Sequence, residues 1–487
     1  MRISKTQYLR GLQCHKSLWR KAHGIKPDAQ ASDATESLFA TGNEVGEYAK
    51  TLFPGGTDIT PPEFDARKML ADTQAALDAG ATTLYEASFS YDGIFVAADI
   101  LHKTQNGWAI YEVKSASSVK SQYLDDLAIQ QHVISQSLPI AKVFVLHINS
   151  KYERNGDIDT TQLLTTVDCT AEVINKQEEV NSNLANFRQL VEGDEPTIDI
   201  GPHCSSPYEC DYHSQCWRHI PAQSVFDLYR MQTAKKMALY NSGVIDLKKL
   251  PTNQSLTTIQ TLQVDTIRSG KPAIDTESIR SFIDSISYPI SFFDFETFQN
   301  AIPRFDKQRP YMQMTFQYSL HILEQDNTLN HYEFLGDENS DPRRLLCERM
   351  LANLPTDGSI VAYNQGFEIG RIKELAKLFP DLADELLALT ERFVDLIIPF
   401  RKGSYYHPKF NGSFSIKSVL PALFPNNKEL DYKALAISHG GMAMDTFANL
   451  HKVNDPAQVE QIRSDLLAYC KLDTLAMVRI YEKLKSI

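Results

Sequence analysis

Residues 84–115 alternate apolar and polar positions and carry the pairs Asp92-Gly93 and Asn106-Gly107. Alternation is the period of a strand with one buried face, and Asx-Gly pairs favour tight hairpin turns. The pattern predicts a β-meander with strands at 84–91, 94–103 and 108–114. A helix is expected over 122–137, an apolar buried strand at 141–148, and a polar helical stretch over 170–191. After Trp217 the character changes, and 223–285 is helix-like with polar breaks and no chemical cluster. A new run opens at Tyr288-Pro289 with the apolar strand I-S-F-F-D-F-E. Further strands are expected at 312–322, 329–336 and 359–363, with helices from Pro342, over 367–378 and from Glu460 onward. Strands interleaved with helices predict an α/β chain with a mixed sheet.

At about 150 residues per domain, 487 residues predict roughly three domains. The pattern divides them as 1–220, a helical connector at 221–285, and 286–487. Hydrophobic residues at 43% and charged residues at 23% exclude disorder, collagen and coiled coil as the main architecture. A net charge of −12 argues against a basic nucleic-acid coat protein, but not against a metal-dependent enzyme, whose sites concentrate carboxylates. The first 30 residues run against the total, with Arg2, Lys5, Arg10, Lys16, Arg20, Lys21 and Lys26 opposed by Asp28 alone. They form either a solvated helix face or a phosphate-contacting helix. The N-terminus has no apolar signal region, and the apolar runs at 141–148 and 394–400 are too short to span a membrane. A reducing cytoplasm is expected, where clustered cysteines point to metal more than to disulfides.

Three groups of residues carry chemistry. In the first, Asp99 lies on F-V-A-A-D-I-L, and Glu112 and Lys114 share a face of the next strand, W-A-I-Y-E-V-K. Two carboxylates can hold Mg²⁺ through oxygen, and a lysine beside them can orient water or stabilise developing charge. This pattern resembles the PD-(D/E)XK nucleases, above all their RecB-like branch. The resemblance implies a restriction-endonuclease-like core with Asp99 and Glu112 as metal ligands and Lys114 as a catalytic residue. It adds Gln130, on the helix after the lysine strand, to the catalytic set. Ile134 stands where the branch often has a tyrosine, and Gly46 where it has an upstream histidine, with Glu44 and Glu47 nearby.

The second group is C-x5-C-x5-C, formed by Cys204, Cys210 and Cys216, with Cys14 far upstream. Zn²⁺ could use the three thiols with His213, and an iron–sulfur cluster would recruit Cys14 as a fourth. Local spacing favours zinc. RecB-like nucleases of the iron–sulfur type place one cysteine before the core and three after it, and that resemblance implies a [4Fe–4S] cluster stapling the domain. Cys169, Cys347 and Cys470 read as ordinary buried thiols.

The third group begins with Asp294 and Glu296, i and i+2 on S-F-F-D-F-E-T-F. V-A-Y-N-Q-G-F-E adds Glu368 at a strand-to-helix junction, and Tyr469 and Asp473 stand at i and i+4 on the last helix. Asp395 is a fallback acid with a structural role expected. In this order the motifs resemble the DEDD 3′→5′ exonucleases of the tyrosine subtype, on an RNase H-like mixed sheet. The resemblance implies a two-metal site of Mg²⁺ or Mn²⁺ held by Asp294, Glu296, Glu368 and Asp473, with Tyr469 placing water. Glu368 stands where the family has aspartate. The stretch G-S-F-S-I-K-S-V-L-P-A-L at 412–423 resembles one in bacterial proteins that join both nuclease-like halves under a domain-of-unknown-function label. Tyr405, Tyr406 and His407 nearby are read either as packing at a solvent edge or as stacking on bases.

The function expected is a two-headed metal-dependent nuclease that hydrolyses DNA from a free end. The alternative is a nucleic-acid-binding adaptor, or a subunit of a helicase–nuclease complex, with one head inactive. No G-x-x-x-x-G-K-[ST] loop is present, so a helicase motor would come from a partner.

Overall fold

Hydrophobic strand segments pack against helices and form two main sheets, with a further two-stranded pair. The computed structural model describes residues 3–28 and 33–487. Two compact units divide them: 1–219 with 300–312, and 220–299 with 313–487. Arg2 lies outside the described residues.

The first unit is built on strands β1 (Ile3–Ser4), β2 (Thr57–Asp58), β3 (Thr83–Tyr91), β4 (Ile94–Thr104), β5 (Gly107–Lys114), β6 (Ile140–Ile148) and β7 (Leu164–Asp168). The sheet order is β2-β3-β4-β5-β6-β7. β3, β4 and β5 form the expected antiparallel meander, each strand within a residue of its predicted bounds. The helix Ser121–Ile134 then crosses over to β6, which pairs parallel with β5. Every residue of that helix from Asp126 to Gln130 is buried, as a helix covered on most sides requires. β4 pairs with β5 only from Ile100 onward, and β1 covers the freed end at Ile94 and Phe95.

The N-terminal helix Lys5–Gln13 starts with a reciprocal cap between Ser4 and Gln7. It packs through Tyr8 and Gly11 near Phe187 of the helix Gln177–Glu192. The predicted helix 170–191 is two, Thr170–Asn175 and Gln177–Glu192. Residues 300–312 belong to this unit, although the sequence pattern assigns them to the later domain. Ala301 and Ile302 join a core with Tyr85, Ile100 and Leu146. Arg154 donates to the carbonyls of Pro303 and Arg304 at 2.9 and 2.7 Å, and the Tyr311 hydroxyl donates to Ser115 O.

The second unit begins with the stretch read as a separate connector. Its helices Thr233–Asn241, Thr258–Ser269 and Thr276–Asp284 pack within the unit. Its strand β8 (Ala273–Ile274) pairs with a late strand, Tyr405–Tyr406. Gly270 is the left-handed cap that ends the helix Thr258–Ser269. The main sheet consists of β9 (Ile290–Phe298), β10 (Met314–Leu323), β11 (Leu329–Leu335), β12 (Ile360–Ala362) and β13 (Phe393–Asp395), in the order β11-β10-β9-β12-β13. β9, β10 and β11 are antiparallel, and β12 is parallel to both of its neighbours.

β9 is buried on both faces. Phe293 and Phe295 enter a core with Leu346, Met350 and Ile372. Phe292 turns to the other face and meets Tyr481 of the 30-residue helix Pro456–Lys485. Tyr405 and Tyr406 are buried in an aromatic cluster with Phe400 and Phe410, so they are core and not a stacking platform. The Nδ1 of His407 accepts from Lys409 N. No helix of the described residues is long and apolar enough to cross a membrane.

The tightest helix contact carries a prediction. A Cβ on Gly11 would lie 2.6 Å from Phe187 Cε2 and 2.9 Å from Leu18 Cδ2. Gly11→Ala should destabilise the first unit by about 1–3 kcal/mol through overpacking, read as a lowered urea midpoint. A midpoint at or above that of the parent chain would contradict this packing.

Candidate active sites

In the first unit, β4 and β5 separate beyond Ile100, and the backbone amide left free there is met by an acid: Val113 N donates to Asp99 Oδ2 at 2.7 Å. Glu112 and Lys114 project from β5 on one face, and Lys114 Nζ lies 2.5 Å from Glu112 Oε1. Gln130 Nε2 donates to Glu112 Oε2 at 2.5 Å. The four predicted residues therefore meet. Three more join them. Asp126, one turn before Gln130, lies 3.0 Å from Lys114 and 2.9 Å from Gln130. Lys5 reaches in from the N-terminal helix, 3.0 Å from Asp126 and 3.4 Å from Glu112. Glu86, on β3, stands close enough for its charge to act on Asp99. The Asp126–Gln130 spacing of i and i+4 was a readable signal. Lys5, 107 positions from Glu112, had none.

Burial, with Asp126 and Asp99 beside it, pushes Glu112 up to about 7. Burial also raises Asp99 and Glu86. Burial opposes ionisation of Asp126 too, but Lys5 and Lys114 outweigh it and hold this carboxyl below the usual range. Both lysines are held above their ordinary value, burial being outweighed by the acids. The cluster is an internally paired network of acids and two lysines. Glu47 is elsewhere, bound to Lys50 at 2.7 Å, and Glu44 acts on Arg304.

The four thiols of Cys14, Cys204, Cys210 and Cys216 line one small cavity with Ser17, Arg20, His203 and His213. Cys14 sits at the break between the helices Lys5–Gln13 and His15–Ala22. Hydrogen bonds clamp this segment to the later cysteines. Gln13 donates to His203 O and Tyr208 O at 2.9 and 2.6 Å, Arg10 meets Asp211 at 2.5 Å, and Arg20 meets Glu195 at 2.6 Å. Lys5, Arg10 and Arg20 are thus committed inside the unit, which removes them from the expected phosphate-contacting face. Arg20 also lies 3.8 Å from Cys216 Sγ. Burial raises the Cys14 and Cys216 thiols. Among the described residues, the trio of His, Cys, Asp or Glu whose donor atoms fall within 4.8 Å of one another is elsewhere, at Asp294, Glu296 and Cys470.

In the second unit, β12 pairs with β9 only at Ser291 and Phe292, so the sheet opens where Asp294 and Glu296 stand. Both face the helix Pro456–Lys485, which supplies Tyr469 and Asp473. Glu368 enters from the first turn of the helix Gly366–Leu378. Glu296, Glu368 and Asp473 are buried. Among the described residues, no hydrogen bond reaches the carboxylates of Asp294 or Glu296, and Glu368 Oε2 is buried without a partner. Burial, then Asp473, Glu368 and Glu296, raises Asp294 well above its ordinary value. Burial, then Asp473, does the same to Glu296, with Lys417 opposing. Burial and Asp395 raise Glu368 to about 8. Burial raises Asp473 to about 6, against the hydrogen bonds of Tyr432 at 2.6 Å and Tyr469. Burial and Asp473 keep the Tyr469 phenol protonated.

Asp395 accepts from Asn364 N and Ile397 N at 2.8 and 3.2 Å, the expected structural role. Lys417, Tyr432 and Cys470 are additions that the motifs did not single out. Cys470 is buried as expected, but beside the acids, and burial with Asp294 next to it keeps its thiol neutral.

Curated relatives share part of the chain. It is 27% identical over 217 residues to the uncharacterized protein MG366 homolog of Mycoplasma pneumoniae, covering 39% of this chain and 31% of that protein. It is 24% identical over 295 residues to the uncharacterized protein UU173 of Ureaplasma parvum, covering 55% and 42%. The chain thus spans less than half the length of these relatives. Residues 291–415, which carry Asp294, Glu296 and Glu368, match the family model of a domain of unknown function, DUF2779.

Proposed function

We propose that the chain is a metal-dependent nuclease with two heads that hydrolyses phosphodiester bonds of DNA. One observation carries this reading: Asp294, Glu296, Glu368 and Asp473 are gathered at an opening in the second sheet, Glu368 Oε2 is buried without a partner, and Tyr469 stands among them. Buried carboxylates without partners are costly unless a cation neutralises them. The donor set is oxygen, which suits Mg²⁺ or Mn²⁺. Bound there, such ions supply neutralisation of the phosphate and acidity to the attacking water. Asp294, Glu296, Glu368 and Asp473 would hold them. Tyr469 keeps its proton, so it can donate to Asp473 or place a water. Three antiparallel strands extended by two parallel ones support an RNase H-like exonuclease head of the DEDD tyrosine type.

The meander bearing Asp99, Glu112 and Lys114, followed by the helix of Gln130, supports a PD-(D/E)XK head of RecB-like type. A second reading has support of its own. Lys5 and Lys114 already neutralise Glu112 and Asp126, so this head could bind nucleic acid, or serve a helicase partner, without cutting. Four thiols on one small cavity, Cys14 among them, support an iron–sulfur cluster over zinc. Such a cluster would cross-link Cys14 to the later three and staple the unit.

Three outcomes are expected. With Mg²⁺ or Mn²⁺, the chain should trim end-labelled DNA from its 3′ end. Asp294→Ala should cut that rate by more than the ~10–100-fold typical of a residue one shell out from a metal, and unchanged trimming would refute the assignment. In an Asp294→Ala background, any remaining cleavage should vanish on Lys114→Ala, while a background with none supports the binding-only first head. Protein purified without oxygen should be brown with bound iron, and Cys14→Ala should bleach it. Colourless protein carrying stoichiometric zinc would overturn the cluster.

A further inference from the structure

The stretch 412–423 has no part in the chemistry above, yet it brings a lysine to the acids. Lys417 lies on the helix Ile416–Leu423. Its Nζ donates to Ser438 O at 3.0 Å and sits 5.2 and 5.3 Å from the ring centroids of Tyr432 and Tyr469. An ammonium has three donors, so this bond leaves others to spend. The other cation acting on the acids, Arg371, is already engaged by Glu374 at 2.6 Å and by Gln313.

Ser438 leads directly into the helix Gly440–Leu450. His439 caps it by accepting from Met442 N at 3.0 Å. The amides of Gly440 and Gly441 come before the first intrahelical bond and have no acceptor among the described residues. A Cβ on Gly440 would stand 3.8 Å from Tyr469 Oη and 3.9 Å from Glu296 Oε2. The helix start therefore faces the acid set. Glu296, beside this helix start, is only 8% exposed and accepts no hydrogen bond among the described residues, so its charge is left to a cation or to a donor brought in with substrate.

We propose that Lys417 and the amides of Gly440 and Gly441 form a phosphate receptor that holds the scissile phosphodiester of a nucleic-acid end beside Asp294, Glu296 and Asp473. The inference rests on the nuclease reading of the second unit and adds the group that touches substrate. Four carboxylates repel a phosphate. Free amides at a helix start and a lysine attract it. Glycine at the first helical positions keeps that approach open, because a side chain at Gly440 would fill the gap toward Tyr469 and Glu296.

The test is binding by the full chain, with Ca²⁺ in place of the activating ions. One oligonucleotide carries phosphodiesters throughout, and a second carries an uncharged methylphosphonate at its 3′-terminal linkage. The wild-type chain should prefer the first by about tenfold or more, as one charge-assisted hydrogen bond provides. Lys417→Ala should bind the two equally, with its melting temperature unchanged. Lys417→Arg should retain most of the preference. Gly440→Ala, whose Cβ makes only ordinary contacts, should also lose it. If Lys417→Ala keeps the wild-type preference while Asp294→Ala abolishes trimming, the receptor is wrong and the nuclease reading stands. If the wild-type chain neither binds nor trims either oligonucleotide, both fall.

Discussion

Mutual repulsion among buried carboxylates is the constraint around which the second unit is arranged. Burial raises the proton affinity of Asp294, Glu296, Glu368 and Asp473, and the charges of Asp473 and Glu368 raise that of Asp294 and Glu296 further. The desolvation penalty for each buried ion is several kcal/mol; Lys417 and Arg371 offset part of it for Glu296 and Glu368, and Lys417 with the hydrogen bonds of Tyr432 and Tyr469 offsets part of it for Asp473. Apolar packing holds the acids in place against that cost. Phe293 and Phe295 lock one face of β9 into a core. Phe292 locks the other against Tyr481, and Phe298 packs on Phe447. Rigid backbones on either side leave the carboxylates no route apart, so cations become the available relief.

The first unit meets the same problem with its own charges. Glu112 and Asp126 lie as deep as the acids of the second unit, but Lys5 and Lys114 sit between them. The consequence is visible in Asp126, which stays ionised despite burial, and in Glu112, which rises only to about 7. A cation entering this site would compete with two lysines paired directly to the acids, whereas one entering the second site would compete with half-buried Lys417 and with Arg371, which Glu374 already engages. The two acid clusters therefore differ in how far their own cations offset their charge.

Much of this was legible in the sequence, because the informative signals were local. Period two set the faces of Asp294 and Glu296, and of Glu112 and Lys114. An i, i+4 spacing set Tyr469 beside Asp473, and Asx-Gly turns fixed the meander. What stayed hidden depended on long-range closure. Lys5 belongs to Glu112 only because β1 pins the start of its helix beside β4. Residues 300–312 follow an acidic strand of one unit, but their apolar pair Ala301 and Ile302 completes a core in the other. Tyr405 and Tyr406 looked like a stacking platform by composition, yet pairing with β8 buries them. Lys417 was inside a noticed motif, but its partners Tyr432, Ser438 and Tyr469 lie 15, 21 and 52 positions further along the chain.

One helix joins the two chemical centres of the first unit. Lys5–Gln13 has nine residues, so at 1.5 Å per residue it spans about 13 Å. Lys5 at its start neutralises Asp126 and Glu112, and Cys14 at its end faces the three later thiols. Between them, Tyr8 and Gly11 fit against Phe187 with no room for a methyl group. A rod held so closely cannot shift at one end alone. Whatever fixes Cys14 to Cys204, Cys210 and Cys216 also fixes the depth to which Lys5 enters the acids. A staple at the thiols therefore acts on the charge balance of the site and not only on the stability of the fold.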